Sequence, residues 1–310
     1  MDFPHPTFRL PPISAPLRGI ILMALAALLF ACMHAVIRHV SASLHPFEIA
    51  FFRNVFALLL VLPWFIRLGL APLRTQRFGM HLLRTAFNVV AMLCFFYALS
   101  IAPLAEVTAL NFTAPIFATL LAALFLGEAV RARRWAAVGI GVLGTLVILR
   151  PGLAEVGLGQ MLTLLAALTW ACALLVIKSL SRTESSLTII TYMSLLLLPL
   201  SLIPALFVWH WPTLEQVLWL VLIGFLGGGA QYLMTESLSV ADTAVVMPID
   251  FTKLLWVSVI AYLAFDELPD LFTWIGGAVI FASTFYIGYR EQQIARRKAQ
   301  GAPVPAVTEG

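Results

Sequence analysis

Apolar positions come in long blocks. Each block is about 20 residues, the length a helix needs to cross the hydrocarbon core of a bilayer. Ten such runs are read at 18–40, 47–66, 79–101, 103–126, 134–150, 158–180, 186–208, 214–236, 243–265 and 271–289. The joints between them are short. Many begin or end at Pro46, Pro103, Pro151, Gly152, Pro212 or Pro269, residues that break helices and start turns. The expected fold class is an all-α integral membrane protein with ten transmembrane helices.

The pattern also repeats. At an offset of 139 residues, Asn111-Phe112-Thr113 falls on Asp250-Phe251-Thr252, Glu128 on Glu267, Trp135 on Trp274 and Thr145 on Thr284. Nearer the start the offset slips to 140, and Ala31-Cys32 falls on Ala171-Cys172, Arg38 on Lys178 and Ser41 on Ser181. Two units of five spans are expected, at 18–150 and 157–289, with a disordered lead over 1–17 and a basic tail over 290–310. Five is odd, so the second unit enters the membrane from the opposite side. Inverted repeats of this kind build secondary transporters whose site lies near the midplane, where the halves meet.

Composition agrees with a bilayer as solvent. The 310 residues are 61% hydrophobic and 11% charged, against about a quarter charged in soluble domains. The net charge of +4 suggests a nucleic-acid partner less than it suggests basic cytoplasmic loops. With the N-terminus inside, 14 of the 19 Lys and Arg fall in inside segments and only Arg38 and Arg150 fall outside. Both termini are therefore expected in the cytoplasm. Cys32, Cys94 and Cys172 each lie in an apolar run and are read as packing residues. No metal-binding spacing and no phosphate-binding glycine loop occurs, so neither a metal nor a cofactor is expected, nor ATP-driven pumping by this chain alone.

Taken together, the five-span unit, the run closing on Leu126-Gly127-Glu128, Trp135 opening the next span and Arg53 early in the second resemble the EamA unit of the drug/metabolite transporter superfamily. The second copy, Phe265-Asp266-Glu267 with Trp274, is similar but has Asp266 where the pattern prefers glycine. The style is nearest to bacterial amino-acid exporters of the YddG type. The resemblance implies a basket in which spans 1–4 and 6–9 line a central cavity and spans 5 and 10 lie outside, in a bacterial inner membrane. It leaves open whether two copies pair through spans 5 and 10.

Ionisable groups inside a bilayer are expensive, so they face a cavity or a partner. Arg53 can hold a substrate carboxylate or pair with Glu48. Arg84 and Asn88 share a face of the third span; Arg84 is near enough to its end to snorkel, and Asn88 lies deeper. Asn111 and Asp250 are repeat-related, and Pro115 and Pro248 free carbonyls beside them. Asp250 and Lys253 can pair with each other or meet the charged ends of a substrate. Candidate proton sites are Asp250, Glu106, Glu236 and His34; headgroup positions for the glutamates and packing for His34 are the alternatives. Trp170 and Tyr97 are candidate cavity aromatics, with packing as the competing role. Glu128 and Glu267 read as fold markers. The reading is a secondary carrier exporting amino acids or similar zwitterions by alternating access. A drug or nucleoside-like cation carrier of the same fold is the runner-up. An intramembrane lipid-modifying enzyme would need H-E-x-x-H or paired acids, and neither is present in the sequence.

Overall fold

The computed structural model describes residues 15–68, 75–125, 132–152, 155–181, 183–184, 186–241 and 243–299. Its elements are α1 (Ala15–Val40), α2 (Pro46–Leu68), α3 (Phe78–Ile101), α4 (Leu104–Asn111), α5 (Ala114–Phe125) and α6 (Ala132–Leu149) in the first half. The second half holds α7 (Leu158–Leu180), α8 (Ser186–Leu206), α9 (Leu214–Val240), α10 (Thr243–Asp250), α11 (Thr252–Phe265) and α12 (Leu271–Ala299). Among the described residues, twelve helices make ten crossings, because α4 with α5 and α10 with α11 are single spans interrupted near the middle. Helix begins at Ala15 and continues to Ala299, beyond the outer edges expected for the two units. Residues 1–14 and 300–310 of the lead and tail lie outside the described residues, as does Glu128.

Seven described stretches are long and apolar enough to cross a membrane, and two shorter apolar helices accompany them. With the 23 residues of α2, they account for the ten spans. The protein is a multi-pass membrane protein of two inverted five-helix repeats.

Packing follows that symmetry. α1 lies along α9 and α3 along α7, two contacts that the repeat exchanges, and α6 packs on α12. In the last pair, Ser283 Oγ donates to the Ala137 carbonyl at 2.6 Å. A Cβ on Gly144 would stand 2.9 Å from the Gly276 carbonyl oxygen, and one on Gly276 2.6 Å from that of Gly144. Ala137 corresponds to Gly276 and Gly144 to Ser283, so these two close approaches are repeats of each other. Small residues let the backbones meet where no hydrophobic drive between helices exists. One face of α6 and one of α12 are therefore used within the chain.

Polar ties join spans at each end. At the end where α1 begins, called proximal here, Arg18 pairs with Glu236 at 2.9 Å and Ser237 Oγ donates to the Gly19 carbonyl at 2.7 Å. Thr75 Oγ1 donates to Glu184 at 2.7 Å, and Arg77 to the Ser179 carbonyl at 3.2 Å. At the distal end, Arg38 donates to the Leu99 carbonyl at 3.2 Å, to the Ala102 carbonyl and to the Glu267 carboxylate. The other Glu267 oxygen accepts from the Leu104 amide at 3.3 Å. One ion pair thus joins α1, the end of α3, the start of α4 and the α11–α12 turn. Asp266 in that turn has φ 55, the left-handed region that favours glycine and that aspartate tolerates. This accounts for a family glycine position being filled by aspartate.

Candidate functional site at the two broken spans

The first break follows from local chemistry. Pro115 has no N–H to give the Asn111 carbonyl and crowds it, so the helix cannot run through. The turn tightens instead: the Phe112 amide donates to Ala109 at 3.2 Å and the Thr113 amide to Leu110 at 3.0 Å. Thr113 Oγ1 takes the same Leu110 carbonyl at 2.7 Å. The second break repeats the device, with Thr252 Oγ1 on the Ile249 carbonyl at 2.7 Å. Here the proline, Pro248, lies before the break.

Phe112 and Phe251 stack on each other, ring centroids 4.0 Å apart and planes at 21°. They are repeat equivalents in contact, so they sit on the pseudo-twofold axis that relates the halves. Phe281 extends the cluster, 4.2 Å from Phe251.

Lys253, in the first turn of α11, reaches this stack. Its ammonium is 4.9 Å from the Phe112 centroid and 5.7 Å from that of Phe30 on α1. It also pairs with Asp250 at 3.3 Å. Phe30 leads to His34, 6.4 Å away, and His34 to Phe95 of α3, at 5.0 Å. His34 is 5% exposed, and its Nδ1 has no partner among the described residues. The result is one acid, one ammonium and an imidazole set among phenylalanine rings, with Asn111 and its carbonyl beside them.

Arg53 lies on an adjoining flank of α1. A Cβ on Gly227 would come within 3.0 Å of Arg53 Nε and 2.8 Å of Met33 Sδ, so the missing side chain on α9 makes room for the guanidinium. Met33 and His34 are successive residues, about 100° apart around the helix. Arg53 donates to Asn54 Oδ1 at 3.1 Å, and its Nε has no partner among the described residues. Glu48, its candidate acid, is fully buried elsewhere. It accepts from the His210 amide at 2.5 Å and the His45 amide at 3.3 Å.

The other candidates are scattered. Asn88 is half-buried on α3 without a hydrogen bond among the described residues. Tyr97 sits at the distal end against His45 and Phe47, at 5.8 and 6.0 Å. Trp170 is 37% exposed on α7. Glu106 accepts from Gln160 at 3.1 Å near the distal end, and Glu236 is the proximal partner of Arg18. Phe30, Phe95, Phe112 and Phe251 had no site role in the sequence reading; the repeat signal at Asn111-Phe112-Thr113 was the one pointer to two of them.

A bundle with inverted halves, two broken spans and a charged pair at one of the breaks is the construction of a membrane carrier. The chain belongs to the EamA-like transporter family, whose profile matches residues 17–150 and again 157–289. It is thereby a transporter and not an enzyme. Among similar proteins, a riboflavin transporter of Vibrio cholerae is 34% identical, over 91% of this chain and 97% of that one. An S-adenosylmethionine uptake transporter of Rickettsia bellii is 29% identical, over 84% and 90%. The pseudopaline exporter CntI of Pseudomonas aeruginosa is 30% identical, over 84% and 93%. One solved crystal structure, 16% identical, superposes with a TM-score of 0.60 over 89% of this chain and 98% of that one, a likeness of fold.

Proposed function

We propose that this protein is a secondary carrier for a small metabolite with a planar heteroaromatic ring, riboflavin first among them, working by alternating access at the broken spans. The observation that carries the reading is the Phe112–Phe251 stack with the Lys253–Asp250 pair against it. A planar ring can slide between or onto phenylalanines, with stacking worth about 1–3 kcal/mol per ring. Lys253, Asp250 and the Asn111 carbonyl then offer donors and acceptors to the ring edge. The named activities of the Vibrio and Rickettsia relatives, riboflavin and an adenine-bearing sulfonium, share that flat heterocycle.

Arg53 and Asn88 belong to this reading as flanking contacts, Arg53 with an Nε that has no partner among the described residues and can meet an acceptor on the substrate. Alternating access uses the ties at the two ends. Opening the distal end means releasing Arg38 from Glu267 and the α3 carbonyls; opening the proximal end means releasing the α1–α9 and α3–α7 ties.

A second reading is favoured by one feature, the two opposite charges at the second break. Lys253 and Asp250 suit the carboxylate and amine of a zwitterion, so export of amino acids or related zwitterions is the competing assignment. Counterflow in proteoliposomes separates the two. Saturable exchange of labelled riboflavin, with alanine and other amino acids inert, supports the first. Amino-acid exchange with no riboflavin exchange replaces it by the second.

A further inference from the structure

Away from the breaks, a second polar cluster lies between α3 and α8 toward the proximal end. His81 is 1% exposed and Arg84 5%. Neither ring nitrogen of His81 nor Arg84 Nε has a hydrogen-bond partner among the described residues. Tyr192 covers the imidazole, stacked at 4.5 Å and 24°, and Phe78 meets Tyr192 edge-on at 5.9 Å.

Arg84 does not snorkel to the interface. It makes one long hydrogen bond, 3.4 Å to the Ile189 carbonyl, and no acid pairs with it among the described residues. Among the described residues, the charged groups around His81 are Glu184, Arg84 and Arg77. Glu184 accepts from Thr75 at 2.7 Å, and Arg77 is held by Ser179 and Thr183. A permanent cation with no ion-pair partner among the described residues, beside an imidazole with two unpartnered nitrogens, is among the costliest arrangements a buried site can hold. It becomes favourable once an acceptor-rich anion fills it.

We infer that this cluster is an anion site for one oxyanion, a carboxylate or a phosphate. His81 and Arg84 stand at i and i+3 on one face of α3, where they meet the Tyr192 ring and the Ile189 carbonyl of α8. Arg84 supplies charge and a fixed N–H fork, and His81 one N–H in its neutral form. An oxyanion has lone pairs for both. A halide could take the charge but is poorly matched to the fork. The site is separate from the stacked phenylalanines and does not depend on which solute is carried. The oxyanion can come from a lipid headgroup or from a free solute, and the chemistry is the same.

The test uses the full chain in an uncharged detergent, stripped of lipid. Its unfolding midpoint is measured against sodium phosphate, with sodium chloride holding ionic strength constant. A saturable rise of several degrees is expected, absent in Arg84→Gln and partly kept in Arg84→Lys. His81→Leu, which leaves the charge in place, should need several-fold more phosphate for half the rise; it decides the matter if Arg84→Gln does not fold. If instead one phospholipid copurifies with the wild type and is missing from Arg84→Gln by native mass spectrometry, the same site stands with a headgroup as its ligand. A wild type with neither phosphate response nor retained lipid, or a response unchanged by both substitutions, overturns the inference.

Discussion

At the first break α4 stops at Asn111 and α5 starts at Ala114; at the second, α10 stops at Asp250 and α11 starts at Thr252. The backbone solution is shared. A threonine hydroxyl caps the carbonyl three residues back in both, at 2.7 Å each, and a phenylalanine from each lies on the axis. The charges are not shared. Where the second half has Asp250 and Lys253, the first has Asn111 and Ala114. On the proposed alternating-access reading, geometry that must be the same in two exchanging states is kept symmetric, while recognition of one asymmetric solute is not bound by that symmetry.

The largest test rewrites the second break as the first. Asp250→Asn with Lys253→Ala removes every charge that distinguishes them. Transport should fall on the order of 100-fold or more, the loss expected when desolvated charged contacts are cut. Folding should respond in the opposite order. Either single change leaves one charge buried without its partner, at a cost of about 3 kcal/mol, whereas the double change removes both and costs less. Thermal unfolding of the three variants measures this. A double variant less stable than both singles would mean that the pair is not a unit.

Next in size is the stack. If the proposed function holds, Phe112→Ala and Phe251→Ala should each weaken riboflavin exchange by roughly 5- to 150-fold, corresponding to about 1–3 kcal/mol of lost ring contact. Phe251 also packs on Phe281, so Phe251→Ala should lower the unfolding midpoint more than Phe112→Ala. Equal transport with either ring removed would take the stack out of the substrate path and leave it as core.

How far the sequence could see differs between these regions. The ten spans and the inversion were legible because apolar block length and a 139-residue offset are properties of the chain itself. Asn111 and Asp250 were singled out as candidates through the repeat. Phe30 and Phe95 were not, because a phenylalanine in an apolar span carries no mark of which way it faces. The Arg38–Glu267 pair joins residues 229 apart, and no local pattern announces such a partner. Glu267 thus looked like a marker of fold when it also ties four elements together. The prediction that follows is moderate: Glu267→Gln should cost about 1–2 kcal/mol of stability, the scale of a charge-assisted hydrogen bond. It should also raise modification of a cysteine introduced at Ala102, which the tie keeps buried. Unchanged labelling would show that the distal end does not depend on it.

The smallest expected effect lies at the start of each half's last span. Asp270 has Arg131 as its repeat equivalent. The inversion puts these turns at opposite ends of the bundle, and a basic turn suits the side that holds most Lys and Arg. Asp270 instead begins α12, where an acid suits the helix dipole and accepts from the Thr273 amide at 2.8 Å and the Thr273 hydroxyl at 2.7 Å. It also pairs with Arg150. Burial works against ionisation there, but the hydrogen bonds from Thr273 and the Arg150 charge outweigh it and hold the carboxyl below its ordinary value. A carboxyl depressed in the folded state contributes stability above its unfolded pKa of about 4, and that contribution fades as pH falls through the lower folded value. Unfolding midpoints of wild type and Asp270→Asn should therefore differ by a constant few degrees from pH 7 to pH 5. They should converge below about pH 4, where the wild-type carboxylate takes up its proton. A gap that persists unchanged into that acid range would mean that the cap works through shape and hydrogen bonding alone, with no contribution from the charge that sets this turn apart from its repeat.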